Sequence, residues 1–273
     1  MSMPDESTTK ARGVDYFIEN WNGQQNFLMD RSQFPLDYDF PSPKDFVEAL
    51  RCDEKVRISM GIHGSEYSDA NPKIAEDFNA LPIEEALKED FHIAHFELHR
   101  FYGSGQILDG FKQQVLIPWQ QFLKDQGFQF QRCYPIIFIS GSMSPGNYHM
   151  DQSHVLAWQL YGGKEFNGFS NPGSWEPVQK CVDAEYRSSI QKPDTIPDDA
   201  RSALAMEPGD LLWNQFLTPH WVDASADGIA ISLNISHGGI MRNGEYAPNE
   251  KVLREHNPDP FPANENQKPL VEW

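Results

Sequence analysis

The sequence is poor in cysteine, in long apolar runs and in positive charge. Its 273 residues hold three cysteines, Cys52, Cys133 and Cys181. That odd number at wide spacings offers neither a disulfide framework nor a CxxC metal knuckle, and a cytoplasmic setting is expected. The longest apolar runs are six or seven residues, whereas a membrane helix needs about 20, so no membrane partner is expected. Residues 1–12 lack the apolar stretch of a secretory signal and read as a flexible N-terminus. Lys and Arg total 22 against 40 Asp and Glu, a net charge of -18. Such a surface repels phosphate backbones, so no nucleic-acid partner is expected. No period of 20 to 50 residues recurs, which sets solenoids and propellers aside.

What is present is an ordinary globular balance, 39% hydrophobic and 23% charged, enough for one sizeable core. One domain is expected over 13–273. Ser42 can cap a helix opened by Pro43, with Phe46, Val47, Ala49 and Leu50 as its apolar face. Apolar residues at helical spacing from Ile107 to Leu123 predict a second helix over about 106–126, ended by Gly127 and kinked or divided by Pro118. From Phe128 the texture changes to short β-type runs: Phe128 to Ser140, Val155 to Tyr161, Lys164 to Phe169, Asp210 to Trp213 and Ile229 to Ile235. Closely spaced strands without intervening helices predict a sandwich or barrel core over about 128–240. The proline-rich segment 171–208 reads as a covering loop or lid. The proline-rich segment 245–273 reads as an extended C-terminal wrap.

The chemistry is carried by Asn147-Tyr148-His149-Met150-Asp151. Residues two apart on a strand share a face, so the imidazole and carboxylate form two adjacent metal ligands. A third is offered by His220, at the end of the run that starts with Pro208-Gly209-Asp210. Two His and one carboxylate leave positions open, the arrangement suited to non-haem Fe(II) that must bind a cosubstrate and O2. The run His95-Phe96-Glu97-Leu98-His99 differs from a zinc-protease helix, because its Glu does not directly follow the first His. His92, His95, His99, His154 and His237 read as core or surface histidines. Tyr148, Trp158, Trp213 and Trp221 read as mainly core aromatics.

His149-Met150-Asp151, Gly162-Gly163-Lys164, Pro208-Gly209-Asp210, His220 and Ser232-Leu233-Asn234 together resemble the Jumonji C oxygenases, most closely their hydroxylase branch, over about Tyr134 to Ser236. The resemblance implies a mainly β fold with flanking helices around a double-stranded β-helix (jelly-roll, cupin-like) core. It also implies a dioxygenase that couples oxidative decarboxylation of 2-oxoglutarate to substrate hydroxylation. His149, Asp151 and His220 would then bind Fe(II), Lys164 would pair with the distal carboxylate of 2-oxoglutarate, and Asn234 would lie near the cosubstrate. A hairpin at Gly162-Gly163 would return Lys164 towards the metal end. Another class of Fe(II) oxygenases places an Arg about ten residues beyond the distal His, where this chain has Gly228-Ile229-Ala230. Gly146 and Val155 stand where the family often has polar residues. The substrate reads as a small molecule or a peptide side chain, and the oligomeric state is unread. Two alternatives are a cupin-fold Fe(II) oxygenase or isomerase without 2-oxoglutarate, and a non-catalytic binding module of the same fold.

Overall fold

A computed structural model describes residues 11–61, 67–141, 146–175, 192–224 and 228–258. Thirteen strands are seen among them: β1 (Phe27–Met29), β2 (Arg57–Met60), β3 (Phe91–His95), β4 (Phe128–Gln129), β5 (Arg132–Ser140), β6 (His154–Tyr161), β7 (Lys164–Phe169), β8 (Arg201–Met206), β9 (Leu211–Asn214), β10 (Trp221–Ala224), β11 (Ala230–Gly238), β12 (Met241–Arg242) and β13 (Glu245–Tyr246). Seven form one antiparallel sheet in the order β1-β9-β6-β11-β5-β3-β2. Three form a second in the order β10-β7-β8, and β13-β12-β4 make a small third. The two larger sheets face each other as a double-stranded β-helix of the cupin-like kind, with helices packed outside. Among the described residues, no helix is long and apolar enough to cross a membrane.

The large sheet is apolar on its helix side and mixed on its inner side, as the period-2 alternation of side chains requires. On β11, Ile231, Leu233 and Ile235 join the outer core, while Ser232, Asn234 and Ser236 line the cavity between the sheets. On β5, Cys133, Ile137 and Ile139 join the outer core, and Tyr134, Ile136, Phe138 and Ser140 line the cavity. Phe17, Phe46, Trp119 and Leu123 from the helices bury completely against the outer face. Removing any one of these large side chains would cost about 3 kcal/mol or more.

The helix Pro43–Arg51 starts as expected, with Ser42 Oγ accepting from Asp45 N at 3.3 Å. The second helix is not divided: a π-helical turn, Lys112–Leu116, runs directly into the α-helix Ile117–Asp125, with helical backbone at Leu116 and Ile117. Pro118 lies inside this continuous helix and lacks the N–H that would bond back into the preceding turn, and the wider π turn directly before it is where the ladder adjusts.

Three expectations change. The strands flanking Gly162-Gly163 do not pair: β6 pairs with β9 and β11, whereas β7 pairs with β8 and β10. The two glycines are a corner between sheets. Gly162 has φ +63°, and a Cβ there would collide with the Ile229 carbonyl and Ala230, so the corner favours glycine. The segment 171–208 is not loop throughout, because β8 pairs with β7 from Lys164↔Met206 to Phe169↔Arg201. Its residues 176–191 lie outside the described residues. The segment 245–273 opens with β13 and the helix Pro248–His256 rather than extended chain. Pro248 begins a helix because the first helical position needs no N–H donor. Residues 1–10 and 259–273 lie outside the described residues.

Candidate metal centre

His149 and His220 face each other across an isolated antiparallel bridge, with His149 N to His220 O at 3.0 Å and His220 N to His149 O at 2.9 Å. His220 immediately precedes β10, and Asp151 lies just before β6, so the three side chains meet where the two sheets converge. His149 Nε2 is 3.5 Å from Asp151 Oδ1, and His220 Nε2 is 3.5 Å from Asp151 Oδ2. The imidazole centroids are 4.2 Å apart. Among the described residues, this is the one group of three His, Cys, Asp or Glu that could hold a metal ion, its donor atoms all within 4.8 Å of one another.

The surroundings fix the donor atoms. His149 Nδ1 is 2.7 Å from Asn147 O and His220 Nδ1 is 2.9 Å from Thr218 O. A carbonyl accepts only from a protonated nitrogen, so both rings carry hydrogen on Nδ1, which leaves Nε2 as the nitrogen that can bind a metal. Asn214 Nδ2 donates to Asp151 Oδ2 at 2.9 Å. Phe166 stacks on His220 with centroids 4.8 Å apart. Leu217, at φ +50°, donates its N–H to Asp151 O and shapes the turn that carries the distal His.

Electrostatics reinforce the grouping. Burial alone would raise the Asp151 pKa, but the adjacent His149 and His220 and the Asn214 amide hold it down at about 2. Burial, then the neighbouring His149, lowers His220 to about 4. For His149 burial favours the neutral ring, yet the adjacent Asp151 carboxylate outweighs it and raises the pKa. Asp151 is thus an ionised ligand at neutral pH, and His220 a neutral one.

The triad opens on a cavity of about 600 Å³. Lys164, at the start of β7, crosses from the small sheet to the large one, and its Nζ donates to Ser232 Oγ at 2.9 Å. It is 8% exposed. No carboxylate pairs with it among the described residues, and burial brings its pKa down to about 7. Asn234 faces the same cavity between Ser232 and Ser236, and its Oδ1 is buried with no hydrogen-bond partner among the described residues. The structure therefore brings all five sequence-predicted residues into or onto one cavity. The route for Lys164 differs from the expected hairpin, since the corner at Gly162 delivers it.

Gly146 sits where a Cβ would run into the Val222 carbonyl, and its N–H donates to that same oxygen at 2.5 Å. Glycine there permits close backbone approach beside the triad. Val155 lies on the cavity wall. Tyr148, Trp158, Trp213 and Trp221 are buried outside the cavity lining, as core aromatics.

His92 corrects its sequence reading, for it lines the cavity. Burial and then the Lys164 charge lower its pKa to about 4. His95 is buried against Asp53 at 3.1 Å. The sequence reading also assigned no role to Asn214, Ser232 or Phe166. Strict alternation along β11 from Asn234 would have placed Ser232 on the cavity side. Nothing local marked Asn214.

No family model matches the sequence, and no curated protein matches it. Solved structures do. YcfD, a ribosomal oxygenase from Escherichia coli, aligns with a TM-score of 0.51 at 15% identity, over 89% of this chain and 54% of that one. A second structure of E. coli YcfD gives 0.51 at 14% identity, over 94% and 61%, and a third gives 0.52 at 13% identity, over 94% and 68%. The chain thus spans 54% and 61% of the first two neighbours' lengths. At these identities the likeness is one of fold.

Proposed function

We propose that this chain is a non-haem Fe(II)- and 2-oxoglutarate-dependent oxygenase that hydroxylates or oxidises a small molecule or a protein side chain. One observation carries the reading: an open His-Asp-His triad shares its cavity with a buried ammonium that has no carboxylate partner among the described residues. A buried cation without an anion is costly. A dicarboxylate that reaches both the triad and Lys164 removes that cost. The fold likeness to structures of a ribosomal oxygenase supports the same reading.

The residues fit the metal. His149 Nε2, His220 Nε2 and an Asp151 oxygen would hold Fe(II), a nitrogen and oxygen donor set suited to that ion. When bound, the iron supplies the redox chemistry by which 2-oxoglutarate and O2 become succinate and CO2 while one oxygen atom enters the substrate. The chain's own part is binding and orientation. Asn147 and Thr218 carbonyls fix both His tautomers, and Asn214 fixes the carboxylate. Lys164, with the Ser232 hydroxyl, binds the distal carboxylate. Asn234 offers an unsatisfied amide oxygen to a donor on the cosubstrate or to ordered water. Ile136, Phe138, Val155 and Phe166 exclude water around the reacting atoms.

The test is anaerobic titration of the Fe(II)-loaded protein with 2-oxoglutarate, read by the visible metal-to-ligand charge-transfer band, then succinate formation in air. A saturable band and succinate are expected. Iron binding without any 2-oxoglutarate band would overturn this reading in favour of a cosubstrate-free oxygenase or isomerase, and no metal binding would favour a binding module.

A further inference from the structure

The cavity inverts the charge of the molecule. The chain has 40 acidic against 22 basic residues, yet among the described residues that line the cavity there are two cations, Arg57 and Lys164, and one carboxylate, Asp151. That carboxylate belongs to the triad and would be spent on a metal. Lys164 is deep and engaged with Ser232. Arg57 is the other cation, and nothing in the proposed function uses it.

Register places it. Arg57 pairs with Ala94, Ala94 with Phe138, and Phe138 with Ser232, so these four residues form one rung across β2, β3, β5 and β11. Ser232 holds the Lys164 ammonium at one end of the rung, and Arg57 stands three strand spacings away, about 14 Å between Cα atoms. Between them the floor is Ala94, whose single methyl leaves a groove, and Phe138. The edge strand β2 thus carries a cation at the far side of the cavity from the deep lysine.

The guanidinium is held in place. Its Cζ lies 4.8 Å from the centroid of Tyr67 and 5.7 Å from that of Phe96, and its Nε is 3.1 Å from Asp69 Oδ2. Asp69 lies beside the Nε edge as a charge contact without a hydrogen bond to Nε, and no hydrogen bond from either Nη group to another residue is seen among the described residues. A guanidinium fixed by two rings and one carboxylate presents the remaining edge in the geometry that accepts a carboxylate through two parallel bonds. Half-exposed Asp69 does not line the cavity, so an incoming anion meets Arg57 from the opposite side.

We propose that Arg57 anchors a second subsite of this cavity, which takes the carboxylate of a small organic acid whose aromatic or apolar body lies over Ala94 against Phe96 and Phe138. The identity of that acid as the oxidised substrate rests on the oxygenase reading above; its binding at Arg57 does not. A cavity of about 600 Å³ is in the range that holds small ligands.

The experiment uses the full-length, metal-free protein and two probes that differ only in charge: hippurate and its neutral amide, hippuramide. Affinities are read by ligand-observed NMR titration. Hippurate is expected to bind at least tenfold more tightly than hippuramide. Arg57→Gln brings the two within about twofold of each other, Arg57→Lys keeps part of the preference, and Lys164→Ala leaves it intact. Equal binding of the two probes by the wild type overturns the proposal, as does a preference that survives Arg57→Gln. A preference lost in Lys164→Ala also overturns it, since the acid then occupies the deep lysine's site. If Arg57→Gln does not fold, Ala94→Met serves instead: it fills the groove without altering charge and should weaken both probes tenfold or more, and undiminished binding overturns the proposal. Because neither probe needs iron or 2-oxoglutarate, a missing charge-transfer band leaves this result standing.

Discussion

His149 and His220 exchange both backbone hydrogen bonds, at 3.0 and 2.9 Å, so two ligands 71 positions apart are clamped face to face by main chain alone. Their imidazoles need no metal to meet. Side-chain truncation at this bridge therefore separates ligation from folding.

His149→Ala and Asp151→Ala should each abolish stoichiometric Fe(II) binding in anaerobic calorimetry. The melting temperature should move by no more than about 2–4 °C, because partly exposed polar residues carry little packing energy. Tight one-to-one binding by both variants would show that the metal sits elsewhere.

Asn214 is nearly fully buried, and its amide donates to Asp151 Oδ2 at 2.9 Å. That bond selects which carboxylate oxygens face the two Nε2 atoms. Asn214→Ala is expected to weaken metal binding about 10–100-fold while all three ligands remain. An affinity equal to wild type would make Asn214 a packing residue only.

A second histidine pair, outside the cavity, governs acid stability. Trp119 Nε1 donates to His237 Nε2 at 2.9 Å, and Phe216 N donates to His154 Nδ1 at 3.3 Å. Each ring uses a lone pair as acceptor and so is held neutral. Burial lowers the His154 pKa to about 3, the nearby His237 adding to it, and burial lowers the His237 pKa to about 4. The unfolded chain protonates these rings near 6.5, so between pH 6.5 and 4 it binds more protons than the folded one. Stability contributed by the neutral rings is complete above pH 6.5 and falls with pH below it, approaching about 1.4 kcal/mol per pH unit for each ring. His237→Gln keeps an acceptor for Trp119 and cannot titrate. Its acid-unfolding midpoint should lie at lower pH than wild type, and an unchanged midpoint would assign acid loss to other groups.

The metal ligands were legible because few residue types bind iron, although His149 sits in an isolated bridge and Asp151 just before β6 rather than both on one strand. The long hydrophobic strands β5, β6 and β11 were legible from composition. Other elements were hidden by their surroundings. The run Arg201 to Met206 is rich in Ala and Ser, with weak β preference, and becomes a strand only because β7 offers it a full edge. The Gly162-Gly163 corner has the residues of a hairpin, and what makes it a sheet switch is the set of strands already flanking β6. Pro248 carries the same chemistry at a helix start as in extended chain. His92 reads as one of three nearby histidines until its strand is placed beside β5, when it turns into the cavity. The misses at β8, at the Gly162 corner and at His92 each concern a choice settled by a distant strand.

Lys164 is where the oxygenase reading is most exposed to test. Burial lowers its pKa from 10.5 to about 7, so above pH 7 the folded protein with no anion bound increasingly holds a neutral amine. A bound carboxylate favours the ammonium. Binding of 2-oxoglutarate above pH 7 should therefore take up a proton, approaching one per site by pH 8–9, and the affinity should fall as pH rises. Below pH 7 the uptake by this group should vanish. Calorimetric titrations in buffers of different ionisation enthalpy measure it directly. Lys164→Ala should lose the uptake together with about 3–5 kcal/mol of binding, several hundredfold or more in affinity, while iron binding is unchanged. Lys164→Arg should recover only part, because a planar guanidinium is longer than the ammonium and does not fit its place beside Ser232. If the wild type binds 2-oxoglutarate with no proton uptake at pH 8.5 and Lys164→Ala binds it equally well, the distal carboxylate is held by other residues and the ammonium beside Ser232 serves the fold alone.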